Sequence, residues 1–412
     1  MARHPELLIP ASSLEVLKTA VIFGADAVYI GGEAFGLRAK AKNFSREDMV
    51  EGIAFAHEHD VKVYVTANIL AHNYDLDGVR KYFEELREIK PDALIIADPG
   101  VFDIAKEVCP EIERHISTQA NNTNYGTYNF WYRQGASRVV SARELSLREI
   151  KELRQHIPED LEIETFVHGA MCISYSGRCL LSNYFTGRDA NHGACTHPCR
   201  WKYAVVEETR PGEYMPVYEN ERGTYIFNSK DLCMIEYIPE LLDAGIDSLK
   251  IEGRMKTALY VATVARTYRK AIDDYQKDPE LYRQNMPWYL DQISNCTYRQ
   301  FTTGFFFGKP DESTQIYDSN TYVKEYTYLG IAEESTEGLI KLSQRNKFSV
   351  GEEIEIMKPD GRNVAAVVER ILDEEGQEQE SAPHPKQTLY VKLSADAETF
   401  DILRRKEMDE SE

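Results

Sequence analysis

Five of the seven cysteines in this chain fall in one stretch with irregular spacing: Cys172, Cys179, Cys195, Cys199 and Cys233. Clustered thiols outside a small disulfide-rich protein indicate metal or redox chemistry. No C-x-x-C pair is present, so the spacing is not that of a zinc ribbon. An iron–sulfur cluster needs only four sulfurs that converge in space, and we therefore expect one here. Structural zinc and unligated thiols are the alternatives that the spacing leaves open.

One of the five cysteines is surplus, because a cluster of this kind takes four thiolate ligands. We assign the ligand positions to Cys172, Cys179, Cys195 and Cys233. Cys199, which lies next to Arg200, is the candidate that would replace Cys195 as a ligand.

Three residues are candidates for proton transfer: His168, Tyr175 and Glu252. His168 ends a predicted strand four residues before Cys172, and we expect its ring to face the site. A structural histidine at the end of a strand is the alternative interpretation. A Cys172–His168 pair would also suit nucleophilic proteolysis, although a thiolate bound to a metal is not a free nucleophile.

Basic and amide side chains lie at or near the ends of the predicted strands. The basic candidates for ligand binding are Arg38, Arg143, Arg178, Arg200, Lys250 and Arg254. The amide candidates are Asn68, Gln119 and Asn121. Arginine grips carboxylate and phosphate through two parallel hydrogen bonds, so this set predicts a site for a small anionic ligand. Ordinary surface charges are the alternative.

The elements that must position these residues alternate between buried strands and amphipathic helices. Eight runs rich in Val, Ile and Tyr end in small or polar residues, as buried parallel strands do. They are Glu6–Ala11, Ala27–Gly32, Lys62–Asn68, Ala93–Pro99, Glu113–Asn121, Ser137–Arg143, Glu162–Gly169 and Ser248–Arg254. Tandem βα units in this number predict an α/β fold, a (β/α)8 TIM-type barrel over residues 1–275. An open doubly wound sheet is the alternative.

A cysteine-rich insertion, residues 170–228, separates the seventh predicted strand from the eighth. It leaves the carboxyl end of strand seven, the face on which such barrels carry their active sites. A connector over residues 276–320 follows the barrel. Short alternating strands then predict a small C-terminal β-barrel domain over 321–402, followed by an acidic tail over 403–412.

Composition restricts the partners and the compartment. The net charge of −20 argues against indiscriminate binding to nucleic acid, because like charge repels the phosphate backbone. A local basic face is compatible with that total. No apolar run approaches the roughly 20 residues that cross a bilayer, and the N-terminal residues lack a signal-peptide pattern. We therefore expect a cytoplasmic protein that does not bind a membrane.

The run ETFVHGAMCISYSGRCLLS closely resembles the signature of the collagenase-like U-32 peptidase family. Four further runs resemble blocks of the same family in the same order: GLRAKAKNF, RDANHGACTHPCRWKY, LKIEGRMK and TTGFFFG. The resemblance covers nearly the whole chain, and five ordered motifs are a specific match.

The resemblance implies an activity different from the family's name. It implies oxygen-independent hydroxylation with a 4Fe–4S cluster on four cysteines, and the branch with a small C-terminal β domain is linked to the wobble uridine of tRNA. Prephenate is the implied source of the hydroxyl group, and a homologous partner subunit is a further expectation. The alternatives are a U-32 type peptidase and a non-catalytic RNA-binding protein with structural zinc.

Overall fold

The computed structural model describes residues 4–32, 44–172, 175, 178–188, 195–198, 205–206, 214–215, 219–220, 223–224, 230–296, 300–308, 325–336 and 338–407. Across these residues no helix has both the length and the apolar character needed to cross a bilayer.

The N-terminal domain is a closed barrel of eight parallel strands. The strands are β1 (Glu6–Pro10), β2 (Ala27–Gly31), β3 (Lys62–Ala67), β4 (Ala93–Ile96), β5 (Glu113–Ile116), β6 (Arg138–Val140), β7 (Glu162–Gly169) and β8 (Ser248–Ile251). Ser248 of β8 is level with Glu164 of β7 on one side and with Glu6 of β1 on the other. This closure confirms the predicted (β/α)8 barrel over the open sheet.

Helices alternate with the strands. They are α1 (Leu14–Ile22), α2 (Arg46–Glu58), α3 (Leu76–Ile89), α4 (Pro99–Val108), α5 (Tyr125–Gln134), α6 (Leu147–Gln155), α7 (Ile238–Asp243) and α8 (Ala258–Lys277), with the connector helices α9 (Pro279–Gln284) and α10 (Met286–Ser294). Capping boxes start α2 at Ser45 with Asp48 and α6 at Ser146 with Glu149. Each box satisfies two backbone groups that the first helical turn leaves unpaired.

Two accessory strands extend the sheet beyond the end of β7. The first, Asp231–Cys233, runs antiparallel to β7, with Cys233 opposite His168 and Leu232 opposite Gly169. The second, Phe301–Thr302, pairs in parallel with the first. The sequence did not predict this addition, which fastens the return of the insertion to the strand from which the insertion leaves.

The C-terminal domain is a closed antiparallel barrel of six strands. They are β9 (Tyr326–Thr336), β10 (Leu339–Gln344), β11 (Glu353–Met357), β12 (Asn363–Leu372), β13 (Thr388–Leu393) and β14 (Ile402–Lys406). The ring runs β11, β14, β9, β10, β13, β12 and returns to β11. This confirms the predicted small β-barrel. The predicted limit at residue 402 is corrected, because 403–406 belong to the last strand and not to the tail.

The apolar core of the first barrel extends into the second, which also has a core cluster of its own. Tyr328, Ile331, Met357 and Ile402 of the second barrel pack into the cluster that fills the first. Arg266 of α8, only 3% exposed, crosses the junction and donates to the Lys358 carbonyl at 2.9 Å and to Asn363 Oδ1 at 2.7 Å. A buried guanidinium that is bonded on both sides of a junction disfavours separation of the domains, because separation would leave its partners unsatisfied.

Candidate functional site

Most of the predicted ligand-binding residues, together with the proton-transfer candidate Glu252, meet at the carboxyl end of the barrel. The carboxyl ends of parallel barrel strands share one face, so residues that follow different strands become neighbours there. Those that the structure places at this mouth are Asn68, Gln119, Asn121, Arg143, Glu252 and Arg254. Arg38, Arg200 and Cys199 lie outside the described residues.

Arg143 is held from three sides. Its Nη2 lies 2.9 Å from Glu252 Oε2, and its Nη1 donates to the Ala170 carbonyl at 2.6 Å. The guanidinium also lies over the Phe166 ring, 3.8 Å from the ring centroid. Both ends of the Arg143–Glu252 pair are only partly buried, with 13% and 15% of the side chains exposed. An arginine fixed in this way presents a preorganised positive edge to the mouth.

Arg254 lies in a space that Gly31 leaves open. Its Nη1 donates to Thr66 Oγ1 at 2.8 Å, and the residue is 7% exposed. A Cβ atom on Gly31 would stand 2.6 Å from that nitrogen, so any other residue at position 31 would displace the guanidinium. The end of β2 is therefore shaped to hold a cation beside the end of β3.

Polar residues after β3 and β5 form a smaller group around Ser117. The Asn68 amide donates to Ser117 Oγ, and the Ser117 hydroxyl bonds Gln119, both at 3.4 Å. Asn121 accepts a bond of 2.7 Å from Arg178 Nε of the insertion. The sequence did not lead us to predict Thr66, Ser117 or Phe166 as residues of the site. The two hydroxyls carried the same strand-end signal as Asn68, whereas nothing in the sequence marked Phe166 as the platform under Arg143.

Lys250 lies below the mouth, inside the barrel, and its surroundings differ from the predicted basic funnel. The residue is 4% exposed, and its Nζ lies 2.6 Å from Glu164 Oε1. Glu164 also accepts from Arg138 Nη1 at 3.1 Å, and Arg138 donates to Glu6 Oε1 at 2.5 Å. Lys250 was predicted to bind an anionic ligand through its positive charge. In the structure that charge is already paired with Glu164.

The charges of this interior network set the ionisation of Glu6. Burial opposes the charged form of Glu6, but the Arg138 guanidinium outweighs it, and the pKa of the carboxyl falls to about 2. Burial likewise opposes the charge on Glu164, but Lys250 and Arg138 hold its pKa below the usual value. Both carboxylates therefore stay ionised inside the barrel at neutral pH.

We expect the acid sensitivity of the fold to depend on Glu6. Its folded pKa lies below the unfolded value of 4.5, so its stabilisation is complete above pH 4.5 and is lost as pH falls toward 2. The slope in that window is about 1.4 kcal/mol per pH unit for one group. Unfolding free energies of Glu6→Gln should therefore show a shallower acid limb than those of the wild type. Glu84→Gln, at an exposed position on α3, is the control, and an unchanged limb in Glu6→Gln would contradict the assignment.

His168 does not face the mouth, contrary to the expectation from the sequence. A β-bulge at Val167 places His168 opposite Ile251, although Phe166 is opposite Lys250. The extra residue reverses the alternation of side chains, so the ring turns toward the helix layer. It is 1% exposed, is surrounded by Tyr260, Tyr268 and Phe301, and burial lowers its pKa to about 3. Its predicted role as a proton donor gains no support from this position.

Gly169, the last residue of β7, packs against the backbone of the loop that follows β8. Its φ is +106°, and a Cβ atom would stand 2.5 Å from the Glu252 carbonyl oxygen. Only glycine fits this close approach. The turn brings Ala170 to Arg143 and so fixes where the insertion begins, two residues before Cys172.

The four predicted ligands differ in exposure and are not drawn together around one point. Cys172 and Cys195 are exposed, Cys179 is partly exposed and Cys233 is buried. The Cys233 thiol lies 3.9 Å from the Tyr268 hydroxyl on the helix side of the sheet, and burial raises its pKa to about 12. Among the described residues, no group of three or more His, Cys, Asp or Glu side chains has a metal-binding arrangement.

Contacts of nearby residues nevertheless link the segments that carry the four cysteines to the carboxyl end of the barrel or to one another. Cys233 is paired opposite His168, four residues before Cys172. Arg178, the neighbour of Cys179, is bonded to Asn121 at the mouth. The backbone N–H of Thr196, next to Cys195, donates to Ser182 Oγ at 3.0 Å, and Ser182 follows Cys179 by three residues. The four thiols supply sulfur ligands, which are the donors that soft metals and iron–sulfur clusters bind.

Tyr175, the third candidate for proton transfer, is 46% exposed in the insertion. Glu252, bonded to Arg143, is the candidate that lies within the mouth itself.

The fold and the site define the class of protein: a (β/α)8 barrel with an arginine-lined mouth and a thiol-bearing insertion after its seventh strand. Comparison with known families assigns it further. The profile described as "Peptidase family U32" matches residues 12–316, and "Peptidase family U32 C-terminal domain" matches residues 324–404. The chain belongs to the U32 peptidase family, as the sequence motifs predicted.

Named relatives are similar over almost the full length. The chain is 42% identical over 408 residues to "tRNA hydroxylation protein P1" of Bacillus subtilis, covering 98% of this chain and 96% of the relative. It is 38% identical over 448 residues to "tRNA hydroxylation protein P" of Escherichia coli, covering 97% and 96%. A relative from Methanocaldococcus jannaschii named as an uncharacterized protease is 43% identical over 305 residues, 73% of each chain.

Proposed function

We propose that this protein is a tRNA-modifying enzyme that hydroxylates the wobble uridine to 5-hydroxyuridine without using molecular oxygen. The observation that carries the proposal is the combination of near-full-length relatives named for tRNA hydroxylation with the mouth built by Arg143 and Arg254. Such a role implies a cytoplasmic protein, because its substrate is found there.

The proposed cofactor is a 4Fe–4S cluster held by Cys172, Cys179, Cys195 and Cys233. The chemistry of the donor set supports it, since all four side chains offer sulfur. A bound cluster supplies one-electron transfer and a Lewis-acid iron. Zinc at the same thiols is the less favoured alternative. Analysis of iron, sulfide and zinc after anaerobic purification separates the two.

The mouth residues are proposed to bind prephenate, whose two carboxylates match two guanidinium groups. Arg143 follows β6 and Arg254 follows β8. Arg143 is bonded to Glu252, which follows β8, and Arg254 is bonded to Thr66 of β3. Charge-assisted, forked hydrogen bonds fix the orientation of a carboxylate as well as binding it. Glu252 orients Arg143, while Tyr175 and Glu252 remain the candidates for moving a proton.

The test is the nucleoside profile of tRNA from a strain that lacks the gene. We expect 5-hydroxyuridine and nucleosides made from it to disappear and to return when the gene is supplied on a plasmid. The strain must also lack any paralogue of the same family. An unchanged profile in that strain would contradict the proposed function.

We expect Arg143→Gln to weaken binding of the anionic co-substrate more than it weakens binding of tRNA. Loss of a charge-assisted hydrogen bond costs about 1.5–3 kcal/mol, which corresponds to a rise of about 10- to 100-fold in the KM for prephenate. Arg143→Lys should recover little, because an ammonium cannot reproduce the fork. Arg80→Gln, an exposed arginine of α3 paired with Glu107, is the matched control. Equal KM values for Arg143→Gln and the wild type would remove Arg143 from the binding site.

Proteolysis is the weaker candidate function. The pair considered from the sequence, Cys172 with His168, has an exposed thiol and a ring enclosed by Tyr260, Tyr268 and Phe301. A general base must reach the proton that it removes, and this ring faces the helix layer instead.

A further inference from the structure

The helix Leu181–Thr186 within the insertion, here called the insertion helix, has its polar and apolar sides reversed relative to an ordinary surface helix. Its buried residue is Ser182, which is 1% exposed and bonds Thr196 Oγ1 at 3.1 Å. Tyr184 and Phe185, by contrast, are 81% and 47% exposed. The hydroxyl side is therefore fixed to the protein, and the aromatic side faces solvent.

Neighbouring residues enlarge this apolar surface. Leu180, directly before the helix, is 67% exposed, and Tyr175 is 46% exposed. The rings of Tyr184 and Phe185 meet edge to face with centroids 5.2 Å apart. Exposed aromatic and apolar side chains concentrated in one short segment mark an interaction site more often than scattered ones do.

The charge of the same segment differs in sign from that of the whole chain. Residues 175–188, which include the insertion helix, contain the basic residues Arg178 and Arg188 and no acidic residue. The complete chain has a net charge of −20. Of the basic residues that the structure describes, Arg178 and Arg188 are exposed and stand on either side of the insertion helix. The charge therefore favours an anionic partner at this surface.

The C-terminal barrel is a poorer site for such a partner. Residues 325–407 contain 18 acidic and 11 basic residues, so like charge repels a phosphate backbone there. A second aromatic platform instead lies on the loop after β3, where the Tyr74 ring is 76% exposed and stacks on His72 with centroids 5.2 Å apart. Both platforms belong to loops at the carboxyl face of the barrel.

We propose that the exposed side of the insertion helix, Tyr184 and Phe185 with Leu180 beside them, stacks on unpaired nucleotides of the RNA substrate. Every base offers a π-face to an aromatic ring, and Arg178 and Arg188 are placed to meet the phosphates of the same strand. This inference rests on the proposed function: it names the surface that binds the single-stranded loop beside the nucleotide that enters the mouth. A protein partner on this surface is the competing outcome.

The test measures binding of an anticodon stem-loop RNA with uridine at the wobble position, using fluorescence anisotropy and the full-length protein. We expect the double variant Tyr184→Ala, Phe185→Ala to raise Kd at least about 10-fold, since two stacking rings are lost. Tyr184→Phe, Phe185→Tyr retains both rings and should bind as the wild type does. Phe130→Ala removes an exposed ring of α5, 45% exposed and outside the insertion, and should leave Kd unchanged.

Three results would overturn the inference. They are an unchanged Kd in the alanine double variant, an equal loss in Phe130→Ala, and a change in molar mass by light scattering without a change in Kd. The last would assign the surface to a protein partner. Iron content and circular dichroism of each variant show whether the fold and the thiol site survive. The nucleoside profile of the deletion strain is independent of this measurement, so failure of the proposed function and failure of this inference are distinguishable.

Discussion

Cys172→Ser, Cys179→Ser, Cys195→Ser and Cys233→Ser are each expected to abolish hydroxylation of the wobble uridine. Serine offers an oxygen in place of the soft thiolate that iron–sulfur clusters require. Changes to residues that only support a metal ligand cost 10- to 100-fold, so we expect loss of a ligand to reduce activity by at least about 100-fold. Complementation of the deletion strain, read as tRNA nucleosides, gives the activity. Iron and sulfide analysis of the anaerobically purified protein should fall from about four of each per chain to near zero.

Two other substitutions make this result specific. Cys109→Ser changes a buried thiol at the end of α4, and it should leave iron content and hydroxylation unchanged. Cys199→Ser tests whether Cys199 is a ligand of the cluster. Full iron content in this variant would support Cys195 as the ligand. A loss equal to that in Cys195→Ser would indicate that both cysteines are ligands. Zinc without iron or sulfide in the wild-type protein would contradict the cluster and favour the structural-zinc alternative.

Glu164→Gln is expected to be the most destabilising single polar substitution in the barrel. Its carboxylate is fully buried and lies 2.6 Å from Lys250 Nζ and 3.1 Å from Arg138 Nη1. Removal of its charge would leave the buried Lys250 ammonium without its carboxylate, whereas Arg138 would keep Glu6 and Glu162. Breaking a buried pair in this way costs about 3–5 kcal/mol, a large share of the 5–15 kcal/mol that holds a typical domain together. Urea unfolding followed by circular dichroism measures the loss.

A matched double variant separates the charge effect from a packing effect. Glu164→Met, Lys250→Met removes one anion and one cation together, and we expect it to recover at least half of the stability lost in Glu164→Gln. Glu107→Gln, in the exposed pair with Arg80, should cost less than about 1 kcal/mol. A cost below 1 kcal/mol for Glu164→Gln would contradict the inference that the buried pair with Lys250 stabilises the barrel. The double variant also tests the predicted role of Lys250 in binding the co-substrate, because an unchanged KM would exclude it.

Much of the architecture followed from local patterns in the sequence. Runs of Val, Ile and Tyr separated by amphipathic helices predicted the eight strands β1–β8, and alternation after residue 321 predicted the C-terminal barrel. The convergence of Arg143, Arg254, Asn68, Gln119 and Asn121 could also be predicted. Each follows a parallel strand, and the carboxyl ends of such strands share one face whatever the details of packing. The same rule placed the cysteine-rich insertion over that face.

The tertiary structure decided which way individual side chains point and what neutralises them. One extra residue in β7 turned His168 from the mouth to the helix layer, and a bulge has no local sequence signal. The sequence predicted that Lys250 binds the ligand, but the register of β8 with β7 places Glu164 beside it. The sequence by itself therefore determined the barrel, its insertion and the set of reactive side chains. Strand register and long-range ion pairing, which depend on residues far apart in the chain, decided which of those side chains reach the mouth.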